Sequence, residues 1–204
     1  MRPDVSDYLA HFTKGSDPLQ NIISILSSRS IKANPLPWTN NPAVCFTECP
    51  WASLLSHAEQ YTPYAVGFTK PHVFSAGGGP AYYVRADHWE KQQWNDHVKT
   101  FVTPFWPSYR PSKLKNSKML KGKSIDYAHE REWRVPHDFL FKLNQVAFVI
   151  LDRYEDMARF PKELKDAIGR DRFVLMDVYR TIERLWPTHV LPIGNGAIIA
   201  PKAE

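Results

Sequence analysis

The sequence predicts a single α+β domain, and three observations support that fold class. The chain has 204 residues, which is long enough to bury a core without disulfides or structural metal. Apolar residues make up 43% and aromatic residues 13% of the chain, which excludes an intrinsically disordered protein. Predicted strands and helices alternate without a regular βαβ rhythm, which favours an α+β fold over a doubly wound sheet.

The chain opens with a predicted strand followed by a helix. Apolar and polar residues alternate over 8–13, which predicts a short strand with His11 and Thr13 on one face. An Asp-Pro pair is typical of a helix start, and apolar residues at helical spacing predict a helix over 18–29.

The later elements follow from the same kinds of signal. Short apolar or alternating segments predict strands over 43–47, 64–69, 81–85, 130–135, 146–151 and 193–200. Helical spacing predicts helices opening at Pro50, over 88–99, over 153–168 with a break near Pro161, and over 176–186. Three consecutive glycines predict a flexible loop over 75–80, and three prolines with many basic residues predict a long loop over 104–123.

Membrane and secretory classes find no support in the sequence. No apolar run approaches the 18 residues of a membrane-spanning helix, and the N-terminus lacks the apolar core of a secretory signal. Cys45 and Cys49 are four residues apart in a strand-like run, too far to form a disulfide without bending the chain. These features predict a cytoplasmic protein in a reducing compartment.

The net charge of +5 comes with an uneven distribution of basic residues. Six basic residues and no acidic residue occur between positions 110 and 123: Arg110, Lys113, Lys115, Lys118, Lys121 and Lys123. This segment is either a solvated loop or a loop that contacts phosphates. Phe105, Trp106 and Tyr109 directly precede it, and aromatic rings of this kind stack on unpaired bases.

Common nucleotide, metal and hydrolase motifs are absent from the sequence. It contains no phosphate-binding GxxxxGK[ST] loop, no GxGxxG, no HExxH, no paired CxxC and no GxSxG. Eight histidines are scattered without the spacing of metal ligands. A metal-dependent nuclease that uses His129 with Glu130 and Glu132 remains an alternative hypothesis.

The strongest chemical candidate is the pair Glu130 and Glu132. Two carboxylates two residues apart on a strand point the same way, and burial of the pair would separate their pKa values and their roles. One can hold a sugar hydroxyl while the other acts on an attacking group. The competing interpretation is a solvated edge strand on which these acids pair with Arg131 or Arg134.

The order of these segments resembles the ADP-ribosyltransferase fold. A strand with a His-x-Thr sequence at 11–13 is followed by a helix, and a Glu-x-Glu strand at 130–132 follows a variable loop. Residues 44–48, 64–68 and 127–134 resemble AbiGi-type abortive-infection domains of bacterial defence systems. The overall order is also similar to DarT-type toxins, which modify DNA. The resemblance implies a mixed two-sheet core over about 8–136, with residues 137–204 adding a strand and helices that complete one domain.

The resemblance also implies roles for individual residues. NAD would be the substrate, with His11 and Thr13 at its nicotinamide ribose. One of Phe46, Tyr82 and Tyr83 would stack on the nicotinamide ring. Glu132 would be the catalytic carboxylate, because breaking the nicotinamide bond builds positive charge on the ribose. Glu130 would position or deprotonate the acceptor.

The resulting prediction is an NAD-dependent ADP-ribosyltransferase that acts on single-stranded DNA or RNA, as a bacterial toxin or anti-phage effector. The basic residues between 110 and 123 would bind the nucleic acid, because this fold places its target-recognition loop before the Glu-x-Glu strand. An antitoxin or regulatory protein is a further predicted partner. The alternative is an inactive module that binds nucleic acid or a protein partner.

Overall fold

The computed structural model of the protein describes residues 5–48, 58, 61–107 and 124–185. Its strands are β1 (Tyr8–Phe12), β2 (Ser30–Ile31), β3 (Asn34–Pro35), β4 (Pro42–Thr47), β5 (Ala65–Thr69), β6 (Gly79–Pro80), β7 (Tyr82–Arg85), β8 (Val102–Phe105), β9 (Glu132–Val135), β10 (Phe139–Leu140), β11 (Phe148–Leu151) and β12 (Phe173–Leu175). Its α-helices are α1 (Pro18–Ser28), α2 (Lys70–Ser75), α3 (Ala86–Trp89), α4 (Asp96–Lys99), α5 (Tyr154–Arg159), α6 (Lys162–Ile168) and α7 (Met176–Leu185). The predicted mixture of helices and strands is confirmed.

The main sheet has eight strands, in the order β12-β11-β5-β1-β4-β9-β6, with β3 also paired to β4. Its pairs are antiparallel except for β11 with β12. Two further pairs stand outside it, β2 with β10 and β7 with β8. In place of the two sheets expected from the resemblance, the described residues therefore form one large sheet and two small ones. Strand β4 lies between β1 and β9, so that residues of these three strands can share one side of the sheet.

Helix α1 begins and ends as its sequence predicts. The Asp17 side chain accepts a hydrogen bond from the Gln20 backbone N–H at 3.0 Å, and Pro18 occupies the first helical position. The helix ends at Ser28, and the next residue, Arg29, caps it in a left-handed conformation with a φ of 54°. Leu19, Ile22 and Leu26 are buried along one face, which fixes the helix against the sheet.

Aromatic side chains form the centre of the core. The ring of Phe139 lies 5.2 Å from that of Phe46 and 4.9 Å from that of Phe68, both in edge-to-face geometry. The surrounding aliphatic residues are buried and come from both the sheet and α1, among them Leu9, Ile22, Leu26, Val44, Val66 and Val149. The core thus packs against one face of the sheet, on strands that include β1 and β4.

The prediction of a loop over 75–80 is wrong at both ends of the segment, where Ser75 belongs to a helix and Gly79–Pro80 to a strand. Helix α2 continues to Ser75, and β6 pairs with β9 through Gly79 opposite Arg134. A Cβ atom on Gly78 would lie 2.8 Å from the Val73 carbonyl oxygen. The glycine is therefore needed for close backbone approach.

Other differences concern the extent of elements. Two single-turn helices, α3 and α4, replace the helix predicted over 88–99. The break near Pro161 is confirmed, because α5 ends at Arg159 and α6 begins at Lys162. The predicted helix opening at Pro50 and the strand over 193–200 lie outside the described residues, apart from Ala58. Within the described residues, no helix is both long and apolar enough to span a membrane.

Candidate functional site

A cavity of about 960 Å³ opens beside the three strands β1, β4 and β9. Helix α1, β2, β3 and the segment before β4 form its other walls. The ionisable side chains at its surface include His11, Lys14, Cys45, Tyr61, Glu130 and Glu132. Its volume lies at the upper end of the about 300–1,000 Å³ that is typical of small-molecule sites.

His11 faces this cavity from β1 in one defined tautomer. Its Nδ1 lies 2.9 Å from the backbone carbonyl oxygen of Cys45. Because a carbonyl oxygen can only accept, Nδ1 carries the proton and donates it. Burial lowers the pKa of His11 below its ordinary value of 6.5, so the ring is neutral at pH 7. The lone pair of Nε2 can therefore accept a hydrogen bond from a ligand hydroxyl.

Glu132 is held in the cavity wall by a two-pronged ion pair. The Nε and Nη2 atoms of Arg134 donate to its two carboxylate oxygens at 2.9 and 2.8 Å. Both side chains lie on the same face of β9, as the spacing of two residues predicts. Strand β9 runs between β4 and β6, so the interpretation of a solvated edge strand is wrong, although the predicted pairing of an acid with Arg134 is confirmed.

Glu130 reaches the same cavity from outside the strand. It ends a 3₁₀ turn, and Arg131 then adopts a left-handed conformation with φ of 46° before β9 begins at Glu132. The prediction that one strand carries both carboxylates is therefore wrong, because the backbone turns between them. The Tyr61 hydroxyl donates to the Glu130 carboxylate at 2.7 Å, and the Thr47 hydroxyl donates to its backbone carbonyl at 2.5 Å.

The two carboxylates have different electrostatic surroundings. Burial raises the pKa of Glu130 above its ordinary value, and the neighbouring charge of Glu132 adds to the increase. The hydrogen bond from Tyr61 opposes it. Burial, with the Glu132 carboxylate second, also raises the pKa of the Cys45 thiol. This thiol is therefore a poor nucleophile in the protein as it stands.

Thr13 and Phe46 line the cavity but are largely occupied by the fold. The Thr13 hydroxyl lies 3.3 Å from the carbonyl oxygens of both Pro18 and Tyr64, which ties β1 to the helix start and to β5. Phe46 is 2% exposed and packs edge-to-face on the core phenylalanines. Both residues therefore contribute to the cavity wall while packing and hydrogen bonds hold them in the fold.

Tyr82 and Tyr83 do not line the cavity. Tyr82 is 50% exposed on β7, with its ring 6.2 Å from that of Phe101. The Tyr83 hydroxyl donates to the backbone carbonyl of Tyr127, which itself lines the cavity. Burial, reinforced by the charge of Glu132, raises the pKa of Tyr83 to about 12. Tyr83 therefore supports the cavity wall from outside.

The six basic residues between 110 and 123 lie outside the described residues, and the described chain on either side of them is joined by a bridge. Trp106 and Ile125 form an antiparallel bridge, with reciprocal backbone hydrogen bonds of 2.8 and 2.7 Å. Thr103 and Tyr127, three and two residues away from this bridge, line the cavity. The described chain on either side of the basic segment therefore reaches the cavity through Thr103 and Tyr127.

Several residues of the cavity are not among the predicted site residues. Arg134 is predicted only as an ion-pair partner, although its spacing of two residues from Glu132 places it on the same face of a strand. Tyr61, Tyr127 and Trp38 had none, because only the folded chain brings them to β9 and β1. Among the described residues, no group of three or more His, Cys, Asp or Glu side chains is arranged to hold a metal ion.

Residues 26–105 match the family model AbiGi, described as "Putative abortive phage resistance protein AbiGi, antitoxin". This part of the chain is therefore similar to an abortive-infection-type domain, as two of the three resembling segments predicted. The match covers less than half of the chain and excludes His11, Glu130 and Glu132. Neither the comparison with curated proteins nor the comparison with solved structures gave a match.

Proposed function

We propose that the protein is a phage-defence ADP-ribosyltransferase whose cavity binds NAD as substrate. One observation carries the proposal. A neutral histidine on β1 and a carboxylate fixed on β9 face one cavity large enough for a dinucleotide. Hydrolysis or transfer at a ribose uses two kinds of group. One accepts a hydrogen bond from a ribose hydroxyl, and the other is an anion that stabilises the positive charge developing on the ribose.

The other walls of the cavity suit the remainder of such a substrate. They include the polar residues Ser28 and Asn34, the aromatic residue Trp38 and the basic residues Lys14 and Lys32, of which Lys32 pairs with Asp138 at 2.7 Å. Polar, cationic and aromatic groups together match the sugars, phosphates and base of a dinucleotide.

In the proposed reaction, the bond between the nicotinamide nitrogen and the ribose C1′ breaks. Its electron pair leaves with nicotinamide, and the ribose acquires oxocarbenium character. The Glu132 carboxylate stabilises that charge more in the transition state than in the ground state. The acceptor forms a new bond to C1′ and gives its proton to the Glu130 carboxylate, whose raised pKa suits it to take up a proton.

Nucleic acid is the acceptor class that the basic segment supports. Six basic residues occur between positions 110 and 123, and Thr103 and Tyr127, on either side of this segment in the sequence, line the cavity. A base must leave its stack to reach a carboxylate within a cavity. Single-stranded DNA or RNA is therefore the proposed acceptor.

The first test measures nicotinamide release and transfer of labelled ADP-ribose to single-stranded DNA, RNA or protein. We expect Glu132→Gln to lower the rate by about 10²–10³-fold, by analogy with the loss of one electrostatic stabiliser. Glu132→Asp keeps a negative charge beside Arg134 but withdraws the carboxylate by one methylene, and it should also lose most activity. Glu163→Gln, at an exposed position on α6, is the matched control and should retain the wild-type rate.

Circular dichroism of each variant separates loss of activity from loss of fold. Full activity of folded Glu132→Gln and Glu132→Asp would contradict the role of Glu132. Absence of nicotinamide release by the wild-type protein with every acceptor would contradict the enzyme itself.

The AbiGi match favours a second candidate, a module of a phage-defence system that binds a partner toxin. The matched residues 26–105 exclude both carboxylates, and the description of that family is of an antitoxin. Under this hypothesis, coexpression with a toxin would suppress its toxicity equally with wild type and with Glu132→Gln. Suppression that requires Glu132 would instead support the transferase.

A further inference from the structure

We infer that Arg134 is a positioning residue that fixes the catalytic carboxylate of Glu132 and ties it to strand β8. The inference rests on the proposed function and deepens it, because it names the residue that holds the Glu132 carboxylate in place. Its basis is the complete set of hydrogen bonds made by one buried guanidinium group.

The side of the guanidinium that faces Glu132 fixes both carboxylate oxygens. Nε donates to Oε1 at 2.9 Å and Nη2 donates to Oε2 at 2.8 Å. A two-pronged contact of this kind fixes the plane of the carboxylate as well as its distance. Each carboxylate oxygen has a further lone pair, so Glu132 can still accept a hydrogen bond from a substrate.

The opposite side of the guanidinium is anchored just as fully. Nη1 donates to the carbonyl oxygens of Thr100 and Val102 at 2.9 and 3.2 Å. Nη2 also donates to the Thr103 hydroxyl at 2.5 Å. All five N–H donors of Arg134 therefore have acceptors, and the side chain is only 3% exposed. Rotation of the guanidinium would break several of these bonds together.

The backbone of Arg134 is equally constrained, because it lies opposite Cys45 of β4 and Gly79 of β6. Glu130 offers a contrast, since the hydrogen bond identified at its carboxylate comes from the hydroxyl of Tyr61. A group that stabilises a developing charge must be preorganised, whereas a group that accepts a proton must change its bonding. The geometry therefore assigns charge stabilisation to Glu132 and proton transfer to Glu130.

The test compares steady-state kinetics of nicotinamide release by wild type and Arg134→Lys. Lysine keeps the positive charge but cannot form the two-pronged contact. Misplacement of a catalytic group by about 1 Å can cost 10²-fold in rate, so we expect kcat to fall by about 10–100-fold. We expect KM for NAD to change by less than about threefold, because ground-state binding is unaffected. Arg180→Lys, on α7, is the control and should leave kcat unchanged.

A double-mutant cycle distinguishes positioning from general damage to the fold. If Arg134 acts through Glu132, Arg134→Lys should have no further effect on kcat in the Glu132→Gln background. A purely structural role would lower kcat by the same factor in both backgrounds. Thr103→Val, which removes one anchor on the far side, provides a milder variant should Arg134→Lys fail to fold, and it should lower kcat by about 3–10-fold.

Wild-type kcat in folded Arg134→Lys or Thr103→Val, or equal losses in both backgrounds, would overturn the assignment of Arg134 alone. Failure of the wild-type protein to release nicotinamide would overturn the proposed function together with this assignment. The two failures are distinguishable because the second needs no variant.

Discussion

Glu130 and Glu132 around the start of β9 can be compared with Asp152 and Asp156, which follow β11. Each pair combines a tyrosine hydroxyl with arginine. Tyr61 donates to Glu130 at 2.7 Å, and Tyr64 donates to Asp156 at 2.8 Å. The other acid of each pair binds arginine. Glu132 binds Arg134, and Asp152 binds Arg153 and Arg180.

The two pairs of acids differ in whether they line the cavity. Glu130 and Glu132 line the 960 Å³ cavity, whereas the cavity lining includes neither aspartate. Asp156 is 4% exposed and also accepts from the Arg153 backbone N–H at the start of α5. Asp152 connects the end of β11 to α7 through Arg180. The aspartates therefore fasten the C-terminal elements to the sheet.

Hydrogen-bond partners alone therefore do not distinguish the two pairs of acids. Under the proposed function, similar hydrogen bonds stabilise the fold where the acid is enclosed by the protein, and position a catalytic group where a cavity leaves room for a ligand. Each of the following predictions changes one member of one pair and its counterpart in the other.

The largest expected contrast is in stability after removal of an arginine from each pair. Arg134→Met leaves Glu132 without its buried partner and should lower the free energy of unfolding by about 3 kcal/mol. Arg180 has a side chain that is 46% exposed, so Arg180→Met should cost less than about 1 kcal/mol. Urea unfolding at pH 7 measures both values. Equal losses would show that the two arginines are equivalent and would remove the basis of the comparison.

A smaller contrast is expected when the tyrosine hydroxyls are removed. Tyr64→Phe should lower the free energy of unfolding by about 1.5 kcal/mol without changing nicotinamide release, because Asp156 is enclosed. Tyr61→Phe should cost less, because water in the cavity can replace the hydroxyl at Glu130. It removes a hydrogen bond that lowers the pKa of Glu130, so the acid limb of the pH–rate profile should move to higher pH. An unchanged profile in folded Tyr61→Phe would contradict the proton-transfer role of Glu130.

The sequence predicts well those elements whose signals are local. Asp17 and Pro18 start α1 through a side-chain cap and a fixed φ, and Pro161 separates α5 from α6. The apolar run before Asp152 forms β11, although the strand begins two residues later than predicted. Each of these signals acts over one or two turns and needs no information about the rest of the fold.

Nonlocal contacts explain what the sequence does not predict. Strand β6 exists because Gly79 and Pro80 pair with β9, more than 50 residues further along the chain. Arg131 is a non-glycine residue with positive φ, and no local signal marks the turn that it makes between Glu130 and Glu132.

The same distinction holds for the candidate site. His11, Thr13, Phe46, Glu130 and Glu132 were predicted from the order of short motifs, and all of them line the cavity. Tyr82 and Tyr83 were assigned to it because of their aromatic rings, but β7 pairs with β8 in a separate small sheet. Strand membership, which decides where a ring can lie, depends on pairings that a single sequence does not reveal.

The smallest expected contrast is in the pH dependence of stability. At both Glu130 and Asp152, burial raises the pKa and hydrogen bonds lower it, so the two effects partly cancel. At Glu130, burial outweighs the Tyr61 hydroxyl, and the pKa is raised above 4.5 in the folded protein. At Asp152, burial alone would raise the pKa, but the hydrogen bonds from Arg180 and Arg153 outweigh it and leave the pKa below 3.8.

The two shifts contribute to stability in opposite directions. The folded state binds the Glu130 proton more tightly than the unfolded state, so this contribution is complete below pH 4.5 and is lost as the pH rises through the raised pKa. The Asp152 contribution is present above pH 3.8 and is lost as the pH falls through the lowered pKa. Relative to wild type, Glu130→Gln should therefore gain stability as the pH rises above 4.5, and Asp152→Asn should gain it as the pH falls below 3.8.

Urea unfolding from pH 3 to pH 7 measures these differences between variant and wild type. Burial lowers the pKa of His11 and of His72, which destabilises the folded state as the pH falls below 6.5, but this effect is common to all variants and cancels in the differences. Parallel curves for Glu130→Gln and Asp152→Asn would mean that the cavity does not distinguish the two carboxylates electrostatically. Opposite slopes would show that Glu130, beside the cavity, binds its proton more tightly in the folded state than in the unfolded state. Asp152, beside α7, would bind its proton less tightly in the folded state.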